Sequence, residues 1–537
     1  MSEESKKGLS RRKFVALTGG ALVASGLLAA CGDAATTVPV AVTTSAATSA
    51  TTAAGATTAA GAATTAAGAA TTAAAGATTA AAGATTAAVG AATTAAAPAP
   101  TATLQPPVAQ PAGSLKITFW HGLGGNNGVI LQQVVNKYNS SQQKYYVETS
   151  FNNNYEDTIQ KLNTSLAGGA LPNVAQIYDL GTQRMIDTKK ITPVQDMIEK
   201  DKSDILKDLE PNVAAYYTVN GKLYSMPFNS SAPVMYFDKK AFKEVGLDTE
   251  KKIWTYDEVL AAATKLTKKD ASGKITRAGV EFSMYGWIFE QEIAIQNALF
   301  AEPDNGRKST RASKLVFNGE AGQNWLNFLK KLQDAGVARN LGRASGSTAS
   351  TTQIANMSRG ESAITFESIA ILRGMINAAN NTGLAEIGVA YLPRPAGATG
   401  GVIQGGASLW MPVTGTAEQQ AAAWDFVKYM GSPETQSFFS SGTGYYPTRL
   451  SAYNQPEVKE ALSKYPQFQI AVDQLRASPA GVPTSGGLFG TFSGTRLSVE
   501  AGMEQFLTGK VATSKAALDA AAKTENEKLT EYNSTIK

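Results

Sequence analysis

The sequence has almost none of the two residue types on which many catalytic and metal sites depend. It contains one cysteine, Cys31, and one histidine, His121, among 537 residues. One cysteine cannot form an internal disulfide, and the pair cannot supply a Cys/His zinc site. A catalytic triad would have to use His121, beside which no base-orienting partner can be identified. We therefore expect no metal, no cofactor and no catalytic residue, and interpret His121 as a structural or rim residue.

Charged residues are also scarce. They make up 17% of the chain, and residues 34–115 contain none. The formal net charge is +5, of which residues 1–30 contribute +3. The small remainder does not indicate a polyanionic partner, so we expect no nucleic acid to bind.

The first 30 residues have the features of an export signal. Paired arginines, Arg11 and Arg12, precede an apolar run from Val15 to Ala30. This run is short for a spanning helix, and the paired arginines resemble a Tat-type signal. Leu28-Ala29-Ala30-Cys31-Gly32 resembles the lipobox of bacterial lipoproteins, in which the cysteine is acylated. We predict a signal peptide over 1–30, lipidation of Cys31 and attachment to the outer or periplasmic face of the cytoplasmic membrane. The alternative is a buried structural cysteine behind a plain signal anchor.

Residues 31–114 repeat near-copies of Ala-Thr-Thr-Ala-Ala-Gly and then become rich in proline. Such a segment has too few large apolar side chains to offset the entropy cost of ordering. We predict a disordered tether with a reach of roughly 50 Å. The density of threonine leaves open a glycosylated stalk.

From Leu115 onwards the pattern predicts α/β structure. Period-two alternation over 115–120 predicts a strand, and the apolar face of 130–138 predicts a helix after it. Further strands are predicted at 145–151 and at 174–178. This alternation of strands and helices indicates a parallel sheet with crossover helices. Ligands of such sheets bind beyond the carboxyl ends of the strands, where His121, Tyr155 and Asp179 fall.

Later segments show the same alternation of strands and helices after long helical insertions. Strands are predicted at 362–366 and 408–413, and Thr416 with Gln419 forms a capping box that begins a helix. The recurrence of strands predicts two α/β lobes that exchange the backbone more than once. The crevice between such lobes is a common site for a small molecule.

Eight short motifs follow one another in the folded part of the chain, and together they are more specific than any one alone. They are Phe119-Trp120-His121, Asn154-Tyr155-Glu156, Ile177-Tyr178-Asp179-Leu180-Gly181-Thr182, Pro227-Phe228-Asn229-Ser230-Ser231, Gly286-Trp287-Ile288, Gly405-Gly406-Ala407-Ser408-Leu409-Trp410, Thr443-Gly444-Tyr445-Tyr446-Pro447 and the late Arg496. Over residues 115–530 this order resembles the family 1 extracellular solute-binding proteins of ABC importers, and within them the members that bind glycerol-3-phosphate.

The resemblance implies a two-lobed periplasmic-binding-protein fold with a ligand cleft between the lobes. One lobe would comprise 115–232 and 370–432, and the other 233–369 and 433–537. It also implies a non-enzymatic monomer that closes on its ligand and delivers it to membrane permease subunits driven by an ATPase.

Carried over by position, the resemblance implies eight ligand-binding residues: Tyr155, Asp179, Ser231, Trp287, Ser368, Gly405, Tyr445 and Arg496. Arg496 would give a bidentate pair to phosphate oxygens, with hydroxyl groups and the backbone near Gly405 as further donors. Asp179 would accept from glycerol hydroxyls at the other end, because a carboxylate repels phosphate. Trp287 would supply an apolar face for the carbon chain.

Two positions depart from the pattern of the glycerol-3-phosphate binders. Asp179 replaces a glutamate, and Met284 stands where they have a second tryptophan three residues before Trp287. Choline needs an aromatic cage, so losing that tryptophan argues against a choline head group. The sequence thus predicts a receptor for glycerol-3-phosphate or a glycerophosphodiester such as glycerophosphocholine. The alternatives are a neutral oligosaccharide ligand or a surface-anchored hydrolase.

Overall fold

The computed structural model describes residues 105–308, 310–343 and 347–536, without the side chains of 347 and 348. The predicted signal peptide, the lipidation site Cys31 and the tether up to residue 104 lie outside the described residues. The chain divides into units 1–91 and 92–537, and every described residue belongs to the second. No helix among these residues combines the length and apolarity needed to cross a bilayer.

The last ten residues of the predicted tether, 105–114, belong to the folded body. Asn136 Nδ2 donates to the carbonyl of Pro106 at 2.9 Å, and the Tyr146 hydroxyl donates to the carbonyl of Val108 at 3.1 Å. The boundary at 114 is therefore about ten residues too late, because these backbone groups are tied to side chains of the first helix and the second strand.

The α-helices of the described chain are, in order, α1 Gly125–Ser141, α2 Tyr155–Gly168, α3 Thr182–Asp187, α4 Val194–Asp201, α5 Pro211–Tyr217, α6 Lys239–Glu244, α7 Tyr256–Leu266, α8 Gly286–Ile295, α9 Glu320–Asp334, α10 Ser347–Ser358, α11 Leu372–Thr382, α12 Ala417–Met430, α13 Pro433–Thr443, α14 Pro456–Lys464, α15 Gln467–Arg476, α16 Phe492–Leu507 and α17 Ser514–Thr535.

The β-strands are β1 Leu115–His121, β2 Tyr145–Phe151, β3 Val174–Tyr178, β4 Ile191–Thr192, β5 Thr218–Val219, β6 Lys222–Leu223, β7 Met226–Ser231, β8 Pro233–Asp238, β9 Lys268–Lys269, β10 Ile275–Arg277, β11 Val280–Phe282, β12 Ala301–Glu302, β13 Lys314–Leu315, β14 Ala338–Asn340, β15 Ile364–Ser368, β16 Ile387–Tyr391 and β17 Gly405–Pro412.

The first lobe is built on a six-stranded sheet in the order β2-β1-β3-β17-β4, with β7 also paired to β17. Strands β1, β2 and β3 are parallel, as the helical crossovers between them require. Strand β17 runs antiparallel to β3, β7 and β4. The predicted parallel core is confirmed, and a returning strand extends it in the opposite direction.

The second lobe is built on a five-stranded sheet in the order β14-β11-β15-β8-β16. Strand β11 is parallel to β14 and β15, whereas β8 is antiparallel to β15 and β16. The fully buried strands β7 and β8 follow each other directly and carry the chain from one sheet to the next. The predicted fold of two α/β lobes is confirmed.

Two of the predicted lobe boundaries are wrong. Strand β16 pairs with β8, so the chain is still in the second lobe at Tyr391 and returns to the first sheet only at Gly405. Helix α13 packs on the first lobe, where the Phe439 ring lies 4.8 Å from that of Phe228. The assignments of 370–391 to the first lobe and of 433–443 to the second are thus reversed. Both boundaries depend on pairing between segments distant in the sequence, which local sequence patterns do not show.

His121 is part of the first lobe's core. It is 6% exposed, and its ring lies 5.6 Å from those of both Phe119 and Phe151. Its Nδ1 has no hydrogen-bond partner within the described part of the chain. Burial lowers the pKa of this imidazole to about 4.

We expect His121 to make the protein less stable in mild acid. Between pH 6.5 and 4 the unfolded chain binds a proton here that the folded chain does not, so the free energy of unfolding falls as pH falls. At pH 4.5 this proton binding lowers the free energy of unfolding by roughly 2 to 3 kcal/mol. In urea titrations, the free energy of unfolding of the wild type should therefore fall more between pH 7 and pH 4.5 than that of His121→Phe, by about that amount. Equal losses in the two proteins would contradict this.

Candidate functional site

A cavity of about 210 Å³ lies where the strands of both lobes end. It is lined by residues that follow β1, β2 and β3 in the first sheet, by Ser231 at the end of β7 and by Ser368 at the end of β15. Helix α16 contributes Arg496. The site thus occupies the expected position beyond strand carboxyl ends, with walls from both lobes.

Seven of the eight predicted ligand residues line this cavity: Tyr155, Asp179, Ser231, Trp287, Ser368, Tyr445 and Arg496. Gly405 is not among the lining residues, although Gly406 is. A side chain at Gly405 would place its Cβ 2.4 Å from Cζ2 of Trp287. Gly405 therefore lies behind Trp287, and its lack of a side chain leaves room for the indole.

The first lobe presents a set of hydroxyl groups to the cavity. Tyr155 begins α2, where the N-cap Asn154 accepts from the backbone N–H of Asp157 at 2.7 Å. The Tyr155 hydroxyl accepts from Asn229 Nδ2 at 2.7 Å and lies 3.0 Å from the Tyr445 hydroxyl. Because Asn229 fixes Tyr155 as an acceptor, the Tyr155 proton can go to Tyr445 or to a ligand.

Arg496 has only part of its guanidinium free for a ligand. Its Nε and Nη2 donate to Oε1 and Oε2 of Glu290 at 2.7 and 2.8 Å, and the arginine is 4% exposed. Within the described chain, no hydrogen-bond acceptor is found for Nη1. Glu290 thus occupies the edge formed by Nε and Nη2, and the predicted bidentate pair with a ligand would have to use the edge formed by Nη1 and Nη2.

Asp179 lies at the same end of the cavity as Arg496. Its Oδ2 is 3.7 Å from Nη2 of Arg496, and its Oδ1 accepts from the backbone N–H of Leu180 at 3.0 Å. The expectation that these two residues lie at opposite ends of a ligand is therefore wrong. The buried strand β3 ends at Asp179 directly beside α16, a proximity between distant segments that the sequence does not reveal.

Sequence reasoning missed three carboxyl groups of the site. Glu156 and Glu367 line the cavity, and Glu290 pairs with Arg496 behind the lining. Each had a readable signal: Glu156 and Glu367 stand beside predicted ligand residues, and Glu290 is an acidic residue in a helix of otherwise mostly apolar, fully buried residues.

The carboxyl groups make the cavity acidic. Arg496 is the one basic side chain among its described lining residues, against Glu156, Asp179 and Glu367. Burial raises the pKa of Glu290 to about 7, against the opposing charge of Arg496. It raises the pKa of Asp179 and Glu156 as well, although Arg496 lowers both. Each of these carboxyl groups, when ionised, favours a ligand of low negative charge.

Aromatic rings form much of the remaining wall. Tyr178 stacks on Tyr155 at 5.5 Å, and the ring of Tyr285 lies 5.9 Å from that of Trp287. Met284 is buried and is not among the lining residues. The inference that its presence argues against a choline head group is therefore unsupported, since Tyr285 supplies a second ring beside Trp287.

Comparisons with known proteins agree with this architecture. The sequence profile of bacterial extracellular solute-binding proteins matches residues 133–469. The sn-glycerol-3-phosphate-binding periplasmic protein UgpB of Yersinia pseudotuberculosis is 30% identical over 415 residues, which cover 76% of this chain and 91% of that protein. UgpB of Escherichia coli strain 536 is 30% identical over 432 residues, which cover 78% of this chain and 94% of that protein.

Two solved structures illustrate the shared fold. UgpB from Mycobacterium tuberculosis in complex with glycerophosphocholine has a TM-score of 0.65 at 20% identity, covering 78% of this chain and 100% of that one. The cyclic α-maltosyl-1,6-maltose binding protein from Arthrobacter globiformis has a TM-score of 0.60 at 22% identity, with the same coverages. The fold is therefore that of periplasmic binding proteins, which accommodates phosphate esters and sugars alike.

The buried pair predicts a clear stability effect. Arg496→Met leaves the Glu290 carboxyl without its cation, and removal of one partner of a buried pair costs about 3 kcal/mol or more. Arg496→Met with Glu290→Leu removes both charges, so urea titration should show most of this stability restored. A double variant no more stable than Arg496→Met would contradict the pairing.

Proposed function

This chain belongs to the bacterial extracellular solute-binding proteins and is the substrate-binding protein of an ABC importer, and we propose that its ligand is a glycerophosphodiester. Glycerol-3-phosphate is the weaker ligand in this proposal. The UgpB relatives, named for glycerol-3-phosphate, support a glycerol phosphate compound. The choice between monoester and diester rests on the charge of the cavity.

The observation that carries the proposal is one arginine facing three lining carboxyl groups. A phosphomonoester carries between one and two negative charges at pH 7, because its second pKa is about 6. A phosphodiester carries one. The second charge of the monoester would meet Asp179 and Glu156 in a site of low dielectric, where repulsion is strong. The cavity therefore favours the diester.

The lining groups can be assigned to the parts of such a ligand. Arg496 Nη1 donates to a phosphate oxygen, together with hydroxyl groups of Ser231, Ser368, Tyr155 and Tyr445. Asp179 and Glu156 accept from the glycerol hydroxyls, and the Trp287 ring covers the carbon chain. Arg496 then contributes charge-assisted hydrogen bonds from the end of its guanidinium, while Glu290 fixes its orientation.

Ligand capture would close the lobes as a hinge. Asn127 Nδ2 of α1 donates to the carbonyl of Ala370 at 3.2 Å, and both residues line the cavity. A ligand that contacts both walls is bound most tightly when the cleft is shut, so its differential contact energy drives closure. In this proposal the closed receptor delivers its ligand to the permease, and acylated Cys31 holds it at the membrane.

A neutral oligosaccharide is the second candidate. Uncharged hydroxyl groups are not repelled by the carboxyl groups, and sugar binders share the fold. The cavity volume of about 210 Å³ favours a small ligand over an oligosaccharide. A hydrolase has less support: the family binds solutes, and His121 lies in the core.

Titration calorimetry with glycerophosphocholine, glycerol-3-phosphate and maltose tests the proposal. We expect a micromolar dissociation constant for glycerophosphocholine, about 8 kcal/mol, with glycerol-3-phosphate about tenfold weaker or more and no heat from maltose. Arg496→Lys keeps a charge but cannot make the same geometry, so it should weaken the diester about tenfold or more.

Arg476→Lys is the matched control. Arg476 makes the same kind of bidentate pair, with Glu210, away from the cavity. Its substitution should leave affinity within about twofold. Maltose binding that Arg496→Lys leaves unchanged would establish the sugar alternative. Phosphate or choline release by the wild type, lost in His121→Phe, would establish the hydrolase.

A further inference from the structure

Glu367 is a carboxyl group of the cavity that has no part in the proposed contacts with the glycerophosphate. It is the penultimate residue of β15, pairs with Val234 of β8 in the second sheet, and is 4% exposed. It lines the cavity next to Ser368. A buried carboxylate is costly unless hydrogen bonds and an opposite charge compensate it.

The hydrogen-bond partners of Glu367 are neutral. The backbone N–H of Ser368 donates to its Oε1 at 2.7 Å, and the Ser350 side chain also bonds to it. Among the described residues no lysine or arginine forms an ion pair with Glu367, whereas the buried Glu290 and Glu281 pair with Arg496 and Arg339. The positive charge that this carboxylate lacks can be supplied from the cavity.

The surroundings of Glu367 suit an organic cation. Tyr285 and Tyr445 line the same cavity. Ile354 and Ile371 add apolar surface to the wall. Aromatic faces attract a cation, and aliphatic side chains cover its methyl or methylene groups.

The cavity therefore contains two charged groups of opposite sign from different elements. Arg496 of α16 lies beside Asp179 at the end of β3, whereas Glu367 belongs to β15 of the second sheet and forms no ion pair with Arg496 among the described residues. Tyr285 lines the same cavity. When Arg496 holds the phosphate, the ester substituent is the part of the ligand left to meet Glu367.

We propose that Glu367 is a specificity-determining residue that selects glycerophosphodiesters with a positively charged head group. This inference rests on the proposed function and extends it, because it assigns the substituent end of the ligand. Such a ligand is a zwitterion whose phosphate and amine charges match Arg496 and Glu367. The class comprises glycerophospho-amino alcohols rather than glycerophosphodiesters of neutral alcohols.

A pH dependence accompanies this assignment. Burial raises the pKa of Glu367 to about 7, and a cation binds the ionised form. The titratable groups that face Glu367 are Tyr236 of β8, Tyr285 and Tyr445, and the pKa of each is raised, so all three stay neutral from pH 6 to 8. Affinity for a cationic head group should thus rise with pH across this range.

The test is calorimetry with glycerophosphocholine, glycerophosphoethanolamine and glycerophosphoglycerol, whose head group is neutral. We expect the wild type to bind the two cationic compounds about tenfold or more tightly than glycerophosphoglycerol. Glu367→Gln keeps an acceptor for the Ser368 N–H but loses the charge. It should bind all three compounds with similar affinity and lose the rise in glycerophosphocholine affinity between pH 6 and 8.

Two further variants separate recognition from a structural effect. Glu367→Asp retains the charge and should retain the preference for cationic head groups. Glu292→Gln alters a buried glutamate outside the cavity, hydrogen-bonded to Tyr256, and should change no affinity ratio. The inference is overturned if Glu367→Gln keeps the head-group preference or weakens all three compounds equally. Failure of every glycerophosphodiester to bind overturns the proposed function and this inference with it.

Discussion

The buried ion pair between Arg496 and Glu290 is the interaction on which the site depends. Both hydrogen bonds of the pair are short, and both residues are nearly inaccessible to solvent. Glu290 uses the edge of the guanidinium formed by Nε and Nη2 and leaves Nη1 for a ligand. Arg496 therefore acts as a positioned donor of limited charge, and the remaining carboxyl groups decide what charge a ligand can bring.

This charge balance connects the fold to the choice of ligand. Asp179 follows a completely buried strand, Glu367 lies at the end of a strand in the other lobe, and Glu156 lies in the first turn of α2. Desolvation at these positions favours a ligand that adds little negative charge or brings positive charge of its own. The zwitterionic glycerophosphodiester that we propose would match both charges, whereas a solved structure of the same fold is that of a maltosyl-maltose binding protein.

Much of this architecture could be read from the sequence, because the signals are local. Alternation and apolar runs identified β1 and β3, and the capping box formed by Thr416 and Gln419 begins α12 as predicted. The ordered motifs identified seven residues that line the cavity. Long-range pairing could not be read in this way. The partner of Arg496 is 206 residues distant, and β16 is a short stretch whose place in the second sheet depends on β8.

In the function that we propose, surplus carboxyl groups around one arginine set the charge of the ligand. The most direct measurement is the ratio of affinities for glycerophosphoglycerol and glycerol-3-phosphate in the wild type and in Glu156→Gln. Both compounds lack a cation and share the glycerophosphate part, so the change in the ratio on Glu156→Gln reports on the extra charge of the monoester. We expect a ratio of about ten or more in favour of the diester, reduced several-fold by the substitution. Tighter binding of glycerol-3-phosphate, or a ratio that Glu156→Gln leaves unchanged, would contradict it.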